Sequence, residues 1–133
     1  MAARILVVED NPANRELTRY LLACSGYCVL EARDGREGLA MARREGPDLI
    51  LCDLGMPELD GYQMLAQLRA HPEGANLVAV ALSAFSMPHD RETALASGFA
   101  GYLSKPIDPE TFVTQIEAFL PEHLRLPPPE TDD

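Results

Sequence analysis

The sequence predicts a doubly wound α/β domain, a five-stranded parallel sheet covered by helices on both faces. Three observations predict it. Short apolar runs of strand length recur five times along the 133 residues, and a helix-start signal or a helical apolar stripe follows each of them. The third run, Leu49-Ile-Leu-Cys52, is too short for a lone helix and has no polar alternation, which suits a strand buried on both faces. The length is that of one ordinary domain with its own core.

Arg4-Ile-Leu-Val-Val8 is β-branched and apolar and ends at the acidic pair Glu9-Asp10. Asn11-Pro12 then supplies a cap followed by proline at the first helical position, and Leu17, Leu21 and Cys24 lie along one expected core face before Gly26. Tyr27 to Glu31 repeats the strand composition, and Asp34-Gly-Arg-Glu37 opens a helix that runs to Glu45, before Gly46-Pro47. Asp53 ends the third strand and is followed by Gly55 and Pro57. Asp60-Gly-Tyr-Gln63 caps a helix carrying Met64, Leu65 and Leu68, which His71-Pro72 ends. Leu77 to Leu82 is the fourth strand, ending at Ser83, and a weaker helix signal follows, starting around Ser86 to Pro88 and ending at Gly98. Ala100 to Leu103 is the fifth strand. Asp108-Pro109 repeats the cap-and-proline signal ahead of an amphipathic helix with Phe112, Val113, Ile116, Phe119 and Leu120 on one face, closed by Pro121. Residues 1–121 form the expected domain. Residues 122–133, with three consecutive prolines and a run of acids, read as an extended, disordered tail.

Right-handed crossovers bring the carboxyl ends of all the strands to one edge, where open α/β sheets place their ligands. Glu9, Asp10, Asp53, Ser83 and Lys105 therefore converge. Taken singly, each has an ordinary explanation: solvated acids before a helix, a turn serine, an exposed lysine. Together they do not. Two carboxylates about 4 Å apart repel by roughly 4 kcal/mol at an effective dielectric of about 20, so the cluster calls for raised pKa values or a cation. Oxygen-only donors suit Mg²⁺, and the lack of His or Cys argues against zinc. With Mg²⁺ neutralising phosphoryl oxygens, Asp53 can attack a phosphoryl group as a carboxylate nucleophile, with Lys105 pairing with the added charge and Ser83 donating to it.

The formal net charge of −10 disfavours nucleic acid and anionic membrane as partners. Cys24, Cys28 and Cys52 lack metal or redox spacing and are expected to be small buried hydrophobes in a reducing, cytoplasmic setting. The short apolar run at Ile5–Val8 is no signal peptide or membrane span.

The set Val8-Glu9-Asp10-Asn11, Asp53-Leu-Gly-Met-Pro57 with Asp60-Gly61, Ser83-Ala84 and Tyr102-Leu-Ser-Lys105-Pro106 resembles the receiver domain of two-component response regulators, from about Arg4 to Leu120. The resemblance implies a flavodoxin-like sheet of order 2-1-3-4-5 and a cis Lys105-Pro106 peptide. It implies phosphorylation of Asp53 by a histidine kinase or histidine phosphotransfer protein, and Mg²⁺ held by Glu9, Asp10, Asp53 and the backbone carbonyl of Gly55. Ser83 and Lys105 would contact the phosphoryl group, Ser83 and Tyr102 would act as the switch, and the chain would work as a monomer or a phosphorylation-dependent dimer. Asn14, Arg15, Thr18, Pro106 and Ile107 are the expected docking residues. Gly55 departs from common versions of the pattern by putting no side chain beside the phosphoryl group. An output domain needs roughly 50 residues or more, so signalling is expected to be by protein contact.

Other functions fit less well. A phosphohydrolase with an aspartate nucleophile generally has a second acid at the position of Gly55. A flavin module would have a glycine- or hydroxyl-rich phosphate loop after Val8, where this chain has Glu-Asp-Asn-Pro. The intact acidic set argues against a scaffold that works without phosphate.

Overall fold

All five apolar runs become strands of one parallel sheet in the computed structural model, which describes residues 3–84 and 88–124. The strands are β1 (Arg4–Val8), β2 (Cys28–Ala32), β3 (Leu49–Asp53), β4 (Ala79–Ser83) and β5 (Gly101–Ser104), in the order β2-β1-β3-β4-β5. The helices are α1 (Pro12–Cys24), α2 (Gly35–Glu45), α3 (Gly61–Arg69), α4 (Pro88–Ala96) and α5 (Phe112–Glu117). The Lys105–Pro106 peptide is cis.

Side chains alternate across a strand, and here the alternation sorts the interior into two cores. Ile5, Val7, Leu49, Leu51, Val80 and Leu82 pack with Leu22 of α1 and with Phe112 and Ile116 of α5. Leu6, Val8, Ile50, Cys52, Ala79 and Ala81 pack with Ala42 of α2, Met64, Leu65 and Leu68 of α3 and Ala94 of α4. Every residue of β3 and β4 is buried, whereas β2, at one edge, is only half-buried.

Local signals set the helix starts. Asn11 accepts from the Asn14 N–H at 3.0 Å, and Asp34 accepts from the Glu37 N–H at 2.8 Å. Asp60 accepts from the Gln63 N–H at 2.8 Å while Gln63 accepts in return from the Asp60 N–H, a complete reciprocal cap. In α2 the return bond is displaced by one residue, because the Glu37 carboxylate takes the Arg33 N–H and guanidinium instead.

Several expectations need correction. Strands β2, β4 and β5 begin one or two residues later than expected, because pairing register rather than composition fixes their ends. α5 starts at Phe112, not at Pro109. Asp108 accepts from the Glu110 N–H, and its carbonyl takes the Thr111 and Phe112 N–H groups, so the cap-and-proline signal makes a turn before the helix. The core face of α1 is Thr18 and Leu22, with the expected Leu21 half-buried against that core; Leu17 is 37% exposed, and Cys24 and Cys28 are exposed, so only Cys52 is a buried cysteine. Glu122–Leu124 form a short 3-10 turn with Leu124 packed on the core, where an extended tail was expected. Residues 125–133, the rest of that tail, and residues 85–87, where α4 was expected to begin, lie outside the described residues.

Candidate functional site

The chain passes from β2 on one side of β1 to β3 on the other, so the loops after β1 and β3 diverge and leave a crevice between them. Glu9 follows β1, and Asp53 is the last residue of β3. Both are almost fully buried, while Asp10 is exposed at the rim. One carboxylate oxygen from each of Glu9, Asp10 and Asp53 lies within 4.8 Å of the others.

Lys105, just beyond β5, bridges the acids. Its Nζ lies 3.1 Å from Asp53 Oδ2 as a hydrogen-bonded ion pair. It also lies 2.8 Å from Glu9 Oε1, a close ion pair whose angles miss hydrogen-bond geometry. The Lys105 backbone N–H donates to the Ser83 carbonyl at 2.7 Å, which ties the lysine to the end of β4. Asp53 Oδ1 accepts from the Gly55 N–H at 3.0 Å, and Glu9 Oε2 accepts from the Asn11 N–H at 3.2 Å. Gly61 lets α3 start against the strand end, since a Cβ there would lie 2.8 Å from the Asp53 carbonyl oxygen. Gly55 is different: a Cβ there would meet only Asp53 Oδ1, at 3.8 Å, so that flank of the carboxylate is open.

The surroundings drive the two buried acids apart. Burial pushes Glu9 up, its hydrogen bond to Asp53 adds to this, and together they place it at about 7 despite Lys105. Burial also acts to raise Asp53, but the Glu9 hydrogen bond, the Gly55 N–H and Lys105 outweigh it and hold Asp53 below the usual carboxylate range. Burial acts to lower Lys105, yet Glu9 and Asp53 leave it above the ordinary lysine value. Near neutrality Asp53 is therefore an anion, Glu9 carries much of the shared proton, and Lys105 is charged. Three oxygen donors within 4.8 Å of one another, one of them holding a proton because of burial and the neighbouring Asp53, fit a small divalent cation.

Ser83, the last residue of β4, is buried at the crevice. Tyr102 of β5 is buried with its ring in the core beneath α2–α4, and its hydroxyl has no partner among the described residues. Nearby, Tyr62 packs edge-to-face on Phe99, with ring centroids 6.0 Å apart. Burial raises the Tyr62 phenol, and Tyr102 adds to it.

The expected docking residues separate. Asn14, Pro106 and Ile107 line a groove of about 330 Å³ together with Leu17, Ala84 and Lys105. Thr18 is 1% exposed and donates to the Asn14 carbonyl at 2.8 Å, so it belongs to the core and not to a docking face. Arg15 is half-buried and turned toward β1 and β2. Leu17, read from its spacing as core, is the groove wall that the sequence reading missed. The exposed Tyr20, one helical turn further on, was the available signal of a second apolar face.

A family profile described as the response regulator receiver domain matches residues 5–117. The polar-differentiation response regulator DivK of Brucella ovis is 37% identical over 120 residues, covering 90% of this chain and 98% of DivK. Among solved structures, the chemotaxis response regulator CheY4 of Vibrio cholerae superposes with a TM-score of 0.85 at 30% identity, covering 90% of this chain and 100% of that one. The receiver domain of sensor histidine kinase PA1611 from Pseudomonas aeruginosa, solved with a magnesium ion coordinated in its active-site cleft, gives 0.81 at 34% identity, with 90% and 98% covered.

Proposed function

The chain belongs to the response regulator receiver family, and from that premise we propose that Asp53 accepts a phosphoryl group from the phosphohistidine of a histidine kinase or histidine phosphotransfer protein. The observation that carries this reading is the state of Asp53: buried at a strand end, held ionised, and in contact with a lysine that has two strands' acids around it.

In the transfer, an Asp53 carboxylate oxygen forms a bond to phosphorus as the bond from phosphorus to the donor's imidazole nitrogen breaks. The electron pair of that bond stays on the imidazole, and an acyl phosphate remains on Asp53. Glu9, Asp10, Asp53 and the Gly55 carbonyl would hold Mg²⁺, which when bound neutralises phosphoryl oxygens. Lys105 pairs with the phosphoryl group that replaces the Asp53 carboxylate charge, and the Ser83 hydroxyl turns to donate to it. Movement of Ser83 changes what lies over Tyr102, whose buried hydroxyl lacks a partner among the described residues. Tyr102 is thereby the second half of the switch, and the surface around β5 carries the signal outward by protein contact.

The groove formed by Asn14, Leu17, Ala84, Pro106 and Ile107 shares Lys105 with the site. An apolar groove beside the acceptor suits a helix that presents a phosphohistidine.

The test is incubation with Mg²⁺ and acetyl phosphate, read by intact mass. One hydroxylamine-labile phosphate is expected, absent in Asp53→Asn; labelling that persists in that variant overturns the assignment.

A further inference from the structure

We propose that Arg15 is the positioning residue for the Glu9–Asp10 half of the metal site, an inference that rests on the reading above that these acids hold Mg²⁺. The peptide that leads from β1 into Asp10 is held from two sides. The Glu9 N–H donates to the Ala32 carbonyl of β2 at 3.1 Å. The Glu9 carbonyl, beyond the last sheet pairing of β1, accepts from Arg15 Nη1 at 2.9 Å. The same guanidinium reaches back to β2, where its Nε lies 3.8 Å from Glu31 Oε1. Arg15 therefore spans from α1 to two strands, and its planar fork fixes the turn from which Glu9 points inward and Asp10 points to the rim. Its hydrogen bond is to the Glu9 backbone and its ion pair, a longer contact at 3.8 Å, is to Glu31, leaving the site carboxylates to Lys105.

This role separates from simple electrostatics by sign. A cation near a cation site repels the ion, so deleting the Arg15 charge alone would tighten Mg²⁺ binding. Deleting a clamp on the ligand-bearing loop weakens it, typically by about 10-fold to 100-fold for groups that orient metal ligands. Arg4 supplies an internal control at the opposite end of β1. It makes the same kind of clamp, from Nη1 to the Glu45 carbonyl at 2.7 Å and from Nη2 to Glu45 Oε1 at 2.7 Å, on a segment that carries no site residue.

The experiment is Mg²⁺ titration calorimetry on the wild type, Arg15→Met, Arg15→Lys and Arg4→Met, with melting curves for all four. Arg15→Met is expected to weaken Mg²⁺ binding by about tenfold. Arg15→Lys, which keeps the charge and loses the fork, should weaken it as well, and Arg4→Met should match the wild type. Binding that is unchanged or tighter in Arg15→Met, or weakened equally in Arg4→Met, overturns the proposal. Full Mg²⁺ affinity combined with slow transfer from a phosphohistidine donor would make Arg15 a docking residue only, and also overturns it. A wild type that binds no Mg²⁺ removes the metal reading itself, a result distinct from any of these.

Discussion

Glu9 and Asp53 are carboxylates with oxygens within 4.8 Å of each other, yet one is pushed up to about 7 and the other is held low. Both are buried; the difference lies in the proton between them, which sits on Glu9 and faces Asp53, while Asp53 also has the Gly55 N–H and a well-angled lysine. In the role proposed for it as a Mg²⁺ ligand Glu9 must be deprotonated, so Mg²⁺ affinity is expected to rise with pH through about 7 and level off roughly one pH unit above it. Without metal the sign for stability is the reverse. Folded Glu9 holds its proton more tightly than an ordinary glutamate, so its favourable contribution is complete below about 4.5 and is lost as pH rises to about 7. Melting curves with and without Mg²⁺ should therefore show a larger gain at about pH 8 than at about pH 6. Gly55 gives a second prediction. Because its Cβ position touches only Asp53 Oδ1, Gly55→Leu should fold normally and slow the loss of phosphate several-fold by covering that flank, measured as the decay of labelled protein. At this scale the sequence exposed the acids, the lysine and the serine, because each sits directly at a strand end. It hid Thr18, whose hydroxyl is satisfied inside its own helix and is buried at little cost. Leu17 therefore looked like core and is groove wall.

Helix starts were legible wherever a cap side chain bonds to its own helix, as Asn11, Asp34 and Asp60 do. Asp108 carries the same signal, but its side chain bonds only two residues on and makes a turn, leaving Thr111 at the cap with no side-chain bond. Sequence spacing cannot distinguish these outcomes, because both satisfy an N–H close ahead of the aspartate. Two substitutions separate them: Asp60→Ala should cost about 1 kcal/mol in urea unfolding and Thr111→Ala close to nothing. The α3 cap also has a bearing on the site, since α3 begins against the Asp53 carbonyl through Gly61. The fold itself was readable because periodicity and turn residues agree along most of the chain; the starts of β2, β4 and β5, set by register between distant segments, were not.

Across the whole molecule, two separate cores share one sheet and the site lies where both end. β1 and β3 have strands on both sides and helices above and below, whereas β2 is a half-exposed edge. Native-state hydrogen exchange should therefore find the amides of β1 and β3 slowest, near the global unfolding limit, and those of β2 faster by about tenfold or more. Faster exchange in β3 than in β2 would contradict this layering. Glu9 and Asp10 thus follow, and Asp53 ends, the strands expected to open last. The open flank at Gly55 has a meaning in time as well. For the phosphoryl carrier proposed above, an uncovered flank means that the group would be lost soon after it arrives, so the charged population would follow the present activity of the donor rather than its history. One side chain at position 55 would then be enough to turn a reporter of the present into a record of the past, with the fold and the donor unchanged.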